Sequence, residues 1–138
     1  MLKQLSIFAE NKRGTMNAIT KILKDNEINI TTLVTNDSAE FGIVRMIVDN
    51  PDKALTAMKD DGYLCRLDSV TAVEMKDTFG SLNSLLDDIT SAYLNLDFIY
   101  ISFNRERATP VAIMRSTDGD ELDSFLKGKG YRILWFKY

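Results

Sequence analysis

The chain has 138 residues, 45% of them hydrophobic, which suits one domain of ordinary size or two small ones with packed cores. Its net charge is −3, from 17 basic and 20 acidic residues with no basic run, so neither nucleic acid nor an anionic membrane surface is an expected partner. Cys65 is the single cysteine and there is no histidine, which excludes an intrachain disulfide and a thiolate metal cluster, and removes the commonest general base and zinc ligand.

Met1-Leu2-Lys3-Gln4 leads straight into a strand-like run, without signal-peptide architecture, and no apolar segment approaches membrane-spanning length. The expected compartment is the cytoplasm. Residues 2–9 read as a strand. Residues 15–25 read as a helix, with Met16, Ile19, Ile22 and Leu23 on one face and Thr15 as its expected cap. Residues 28–35 are rich in β-branched residues and read as a strand, and Asn36-Asp37-Ser38 as a turn. Phe41–Val48 is a second strand of the pair. Pro51 marks the first turn of another helix, with Ala54, Leu55 and Met58 inside and Gly62 as its C-terminal cap. Tyr63–Leu67 reads as a closing strand. The order is β-α-β-β-α-β, the ferredoxin-like arrangement, complete by about residue 68.

After a two-residue linker, Asp68-Ser69, the order starts again. Val70–Met75 is a strand, Ser81 to about Tyr93 a helix, Leu96–Phe103 a strand, and Asn104–Ala108 a polar turn. Thr109–Arg115 is the next strand, followed by a short helix opened by Asp118-Gly119-Asp120 and a last strand at Tyr131–Phe136. The echo is in register. Gly14 and Gly80 lie 66 positions apart, as do Ile19 and Leu85, Leu23 and Ile89, and Asn29 and Asn95. Later pairs, Asp52/Asp120, Met58/Leu126 and Gly62-Tyr63/Gly130-Tyr131, lie 68 apart. The two extra residues fall in the Asn104–Ala108 hairpin, a surface turn where insertion is cheap, and the pattern reads as a duplication. The expected domains are 1–68 and 69–138.

Two loops carry the candidate chemistry: Asn11-Lys12-Arg13-Gly14-Thr15-Met16 and Asp77-Thr78-Phe79-Gly80-Ser81-Leu82. A glycine before a helix permits a tight turn and close backbone approach, and the helix N-terminus offers N–H donors and positive potential to a carboxylate. These loops resemble the signature of the ACT family of regulatory amino-acid-binding domains, an acidic or amide residue followed by x, x, Gly, x and an apolar residue. The Asn29-Ile30 and Asn95-Leu96 strand starts and the Asp52…Gly62-Tyr63 and Asp120…Gly130-Tyr131 helices match as well. The likeness covers nearly the whole chain. Arg13 and Phe79 stand where many members carry proline, and Asn11 stands where the second copy has Asp77.

The resemblance implies an α+β fold of two ferredoxin-like βαββαβ repeats side by side, in a continuous antiparallel sheet with the helices on one face. It also implies a ligand, usually an amino acid, held between the glycine loop of one unit and the second strand of its neighbour. One expected site therefore joins Asn11, Arg13, Gly14, Thr15 and Met16 to Asn95, Asp97, Phe98, Ile99 and Tyr100. The other joins Asp77, Phe79, Gly80, Ser81 and Leu82 to Asn29, Ile30, Thr31, Thr32 and Leu33. Asp77 offers the ligand's ammonium a charged acceptor and Asn11 a neutral one, so the sites are expected to differ.

No metal and no cofactor are expected, and no nucleophile constellation points to an enzyme. Copper binding lacks its Cys-x-x-Cys pair, and RNA recognition lacks both positive charge and aromatic segments. Several strands are apolar at both parities, Ile43 and Ile47 alternating with Val44, Met46 and Val48, and Phe98 and Tyr100 with Ile99, Ile101 and Phe103. Helices cover one face, so a homodimer packed sheet to sheet is expected. The reading is a non-catalytic regulator that senses an amino acid or similar small-molecule effector and modulates a metabolic enzyme or other regulator. The alternative is a regulatory subunit acting through protein contacts with no ligand. Cys65 reads as a small buried residue, Arg105-Glu106-Arg107 as a solvated hairpin tip, and Tyr131, Trp135, Phe136 and Tyr138 as core or interface.

Overall fold

A computed structural model of the chain describes residues 2–35 and 41–135. The expected Asn36-Asp37-Ser38 turn, Phe136 and Tyr138 lie outside them. The elements are β1 (Leu2–Glu10), α1 (Thr15–Asp25), β2 (Ile30–Thr35), β3 (Phe41–Val48), α2 (Pro51–Asp60), β4 (Leu64–Glu74), α3 (Ser81–Ser91), β5 (Leu96–Asn104), β6 (Thr109–Ser116), α4 (Gly119–Gly128) and β7 (Ile133–Leu134). The chain separates into two compact units, Lys3–Asp68 and Ser69–Phe136 with short additions from the termini, here called the first and second repeat.

In the first repeat the strand order is β2-β3-β1-β4. Strand β3 is antiparallel to both β1 and β2, with Leu5 opposite Met46 and Leu33 opposite Met46 on its other side. In the second repeat β4, β6 and β5 are neighbours in that order, and β7 pairs antiparallel with β4. Each repeat therefore forms the ferredoxin-like sheet with two helices. The helix-facing residues of each sheet close a separate core. The first gathers Leu5, Ile7, Ile19, Leu23, Met46 and Met58, and the second Val73, Leu85, Ile89, Met114, Leu122 and Leu126. These are the helical 3–4 spacings and strand alternation that binary patterning demands.

The duplication is written into the backbone. Gly14 and Gly80 have φ of 87° and 84°, and Gly62 and Gly130 have 88° and 91°. Glu27 and Tyr93, also 66 apart, are left-handed at 56° and 59° although neither is glycine. Both second strands carry a β-bulge at the same place, between Ile30 and Thr32 and between Leu96 and Phe98. Asn50 caps α2 by accepting from Lys53 N at 3.2 Å, and its equivalent Asp118 caps α4 by accepting from Glu121 N at 3.1 Å.

Two expectations need correcting. Asp68-Ser69 is not a linker: β4 runs unbroken for 11 residues from Leu64 to Glu74. Asp68 is buried, and its carboxylate accepts from Ser6 Oγ at 2.8 Å and Arg66 Nε at 3.0 Å, so its polarity is satisfied inside the fold. Thr15 does not cap α1. It lies within the helix after a left-handed Gly14, no side chain caps that end, and its Oγ1 is buried without a partner among the described residues. Of the apolar residues that suggested a second copy, Val44, Met46, Ile47 and Val48 are each at most 4% exposed in the single chain, while Ile43, Phe98, Ile99 and Tyr100 are part-buried. The most exposed of them are Ile101 and Phe103 on β5, each about half exposed. Among the described residues no helix is long and apolar enough to cross a membrane.

Candidate functional site

Each glycine loop turns by the same hydrogen bonds. Thr15 N donates to Lys12 O and Ser81 N to Thr78 O, both at 3.3 Å. The first helical bonds follow, Ala18 N to Gly14 O at 2.9 Å and Ser84 N to Gly80 O at 3.0 Å. A Cβ built on either glycine meets nothing within 4 Å, so the left-handed backbone, not crowding, is what requires glycine there. Among the described residues neither α1 nor α3 receives a side-chain cap, whereas α2 and α4 both do. The two helix starts at the glycine loops thus lack the side-chain acceptor that completes the other two.

A groove opens beside each loop, inside its own repeat. In the second repeat it has a volume of about 590 Å3 and runs between the end of β4, the Gly80 loop, α3 and the Tyr131-Arg132 segment that leads into β7. In the first repeat the equivalent groove, about 540 Å3, is lined by Phe8, Glu10, Lys12, Thr15, Tyr63 and Leu64 among others. The correspondence is positional, Phe8 to Glu74, Glu10 to Lys76, Lys12 to Thr78, Thr15 to Ser81, Tyr63 to Tyr131 and Leu64 to Arg132. A smaller cavity of about 90 Å3 lies against the first loop and is lined by Asn11, Thr15 and Met16 together with Thr35 and Gly42–Val44.

The chemistry of the two grooves differs. In the first, Lys12 pairs with Glu10 at 3.0 Å, and the Arg66 guanidinium lies 5.3 Å from the centre of the Phe8 ring. In the second, Glu74 replaces Phe8 and is buried. It accepts from Asn104 Nδ2 at 3.1 Å and Arg107 Nε at 3.0 Å, with Arg132 Nε at 3.7 Å. Charge-assisted pairing of this kind is what allows a carboxylate to remain inside. Arg107 is exposed at the hairpin, as its sequence suggests, and also reaches back to pair with Glu74. Tyr131 Oη donates to Asp88 Oδ2 at 2.7 Å, and burial together with that carboxylate pushes the phenol up to about 12. Burial likewise raises the Cys65 thiol, as suits a small core residue.

Of the expected site residues, Asn11, Thr15 and Met16 line cavities at the first loop, and Phe79 and Ser81 line the groove at the second. Phe79 is fully exposed, and Ser81 Oγ shares a 2.7 Å hydrogen bond with Thr78 Oγ1. Arg13, Gly14, Asp77, Gly80 and Leu82 sit on the loops without lining these grooves. Asn29 N donates to Asp49 Oδ1 at 3.1 Å, a link from the start of β2 to the end of β3. Ile30, Thr31, Thr32 and Leu33 lie on β2, and Asn95 directly before β5. Asp97, Phe98, Ile99 and Tyr100 lie on β5, with Phe98 and Tyr100 stacked at 6.2 Å between ring centres. None of these strand residues lines the groove of its own repeat. Glu74, Asp88, Arg107, Lys129, Tyr131 and Arg132 line the second groove and were not expected there. Only Tyr131 carried a signal, as half of the repeated Gly-Tyr pair.

The fold matches solved structures along most of its length. Protein BT0572 from Bacteroides thetaiotaomicron superimposes with a TM-score of 0.89 at 31% identity, over 96% of this chain and 91% of that one. The ligand-free regulatory subunit of aspartate kinase from Thermus thermophilus gives 0.69 at 13% identity, over 93% and 90%. The regulatory subunit of aspartate kinase from Thermus flavus gives 0.61 at 12%, over 81% and 80%. A search of curated protein sequences returns no match. The sequence profile of the ACT domain pair matches residues 1–125. With two glycine loops in register and that profile spanning both repeats, the chain belongs to the ACT domain pair family, a family of regulatory domains.

Proposed function

We propose that the protein is a non-catalytic regulator that binds an amino acid or a related small metabolite at its glycine loops and passes the bound state to a partner, a metabolic enzyme or another regulator. The observation that carries this reading is the contrast in capping. Helices α2 and α4 are closed by Asn50 and Asp118, while α1 and α3, both behind a left-handed glycine, have no side-chain cap among the described residues. A ligand carboxylate supplies the acceptor those ends lack. The regulatory subunits of aspartate kinase with this fold support an enzyme as the partner. Ligand binding at a bistable element then shifts partner affinity by its differential affinity for the two states. A thermal-shift screen of the twenty amino acids and a set of aromatic acids tests it: the melting temperature should rise with ligand concentration for at least one compound.

The second reading is a regulatory subunit that works through protein contacts alone, and the apolar surface of β5 favours it. Ile101 and Phe103 lie half exposed on an edge strand of the second repeat's sheet. A homodimer, if it forms through apolar strand surface, uses this edge. Silence across the ligand screen together with a dimeric mass that Phe103→Lys makes monomeric decides for this reading.

A further inference from the structure

We propose that the groove of the second repeat binds a compact multivalent anion, carrying either a phosphate or two carboxylates, and that the equivalent groove of the first repeat does not. The inference rests on the reading of the protein as a metabolite-binding regulator and assigns that ligand a place and a charge class.

The grooves arose from one ancestor and diverged in charge. The second is lined by the cations Lys76, Arg107, Lys129 and Arg132 against the carboxylates of Glu74 and Asp88, an excess of two positive charges in a chain whose net charge is −3. The first is lined by Lys12 and Glu10, which neutralise each other at 3.0 Å. Glu10 becomes Lys76 and Leu64 becomes Arg132, which outweighs the opposite changes of Phe8 to Glu74 and Lys12 to Thr78.

Two of these cations share one carboxylate, and the two lysines make no ion pair among the described residues. Glu74 accepts from Arg107 Nε and lies 3.7 Å from Arg132 Nε, so one buried carboxylate faces two guanidinium groups at the groove. Asp88 is engaged by the Tyr131 phenol. Lys76 is exposed and makes no ion pair among the described residues, and the exposed Lys129 ammonium lies 5.8 Å from the centre of the Phe125 ring. Hydroxyl donors stand among them. Thr78 and Ser81 bond each other at 2.7 Å, and Thr109 lines the same groove with an Oγ1 that is buried and has no partner among the described residues. A groove of about 590 Å3 suits a small metabolite. Convergent cations, hydroxyls and an uncapped helix start in one concavity favour an anion with more than one charged group.

Isothermal titration calorimetry on the full chain at low ionic strength tests this with inorganic phosphate, succinate and L-aspartate as probes. Saturable binding of phosphate or of a dicarboxylate is expected, with one site per chain, and the arm that binds identifies the source of the charge. Lys76→Glu and Lys129→Ala should each weaken it about tenfold or more, since both lysines are exposed and neither change threatens folding. Raising the salt should weaken it too. Lys24→Ala, an exposed lysine of α1, should leave it unchanged. Equal affinity in both groove variants overturns the assignment of the site. A neutral amino acid that binds regardless of Lys76 and Lys129 overturns this inference and leaves the regulatory reading standing, whereas silence toward these anions and all twenty amino acids overturns both.

Discussion

The Tyr131 phenol donates to Asp88 Oδ2 at 2.7 Å and so ties the segment before β7 to helix α3. Burial first, and the carboxylate second, hold the phenol protonated up to about 12, above its ordinary value of 10. Because the folded value is the raised one, the stability this group contributes is complete below about pH 10. It is lost as pH climbs through about 12. Phenolate absorbance should show one tyrosine titrating late, and Asp88→Asn should bring it partway down while burial keeps it above 10. An unshifted titration in Asp88→Asn would assign the whole effect to burial.

Gly14 and Gly80 predict a second result. Both are left-handed and neither has an atom within 4 Å of a built Cβ. Alanine at either position should therefore cost about 1–2 kcal/mol from backbone strain alone. Asparagine, which tolerates the left-handed region, should cost less. Chemical denaturation separates the cases: an asparagine variant as unstable as the alanine variant would mean that something other than φ is at work.

Helix capping offers a third test with opposite signs. Asn50→Ala removes the acceptor for Lys53 N and should cost about 1 kcal/mol. Thr15→Val removes a buried hydroxyl that has no partner among the described residues, and in the ligand-free protein should be neutral or stabilising. A loss at Thr15→Val comparable to that at Asn50→Ala would restore Thr15 as a cap.

Much of this architecture was legible in the residues. The helix at 15–25 and the strand at Phe41–Val48 have the bounds their apolar spacing implies, and the 66-residue echo marks the two glycine turns that the backbone repeats at φ near 85°. What was not legible depends on partners far away in sequence. Asp68 looks like a linker residue until Ser6, 62 positions earlier, bonds to it inside the sheet. Arg107 looks like an unpaired hairpin charge and does stay exposed, but Glu74, 33 positions earlier, accepts from its Nε. Local pattern reports which face is apolar; it does not report which buried polar atoms will meet. The second groove is built from such meetings, so the loop was found in the sequence and the charged wall opposite it was not.

The buried pair Thr71 and Asp123 makes that point testable. Thr71 Oγ1 donates to Asp123 Oδ1 at 2.5 Å, from β4 to α4. The equivalent positions in the first repeat are Leu5, fully buried, and Leu55, packed against the same core. The two repeats have solved one packing problem twice, once with a hydrogen bond and once with hydrocarbon. Thr71→Val leaves the Asp123 carboxylate buried without its donor and should cost about 1.5–3 kcal/mol, as expected for a lost bond to a charged group. The double variant Thr71→Leu, Asp123→Leu transplants the first repeat's solution. It should recover most of that loss and can exceed the parent, because removing both polar partners together also removes their desolvation cost. Urea unfolding of the parent, Thr71→Leu, Asp123→Leu and the double variant completes the cycle. If the double variant is no more stable than the less stable single, the second core has diverged too far to accept the first repeat's packing.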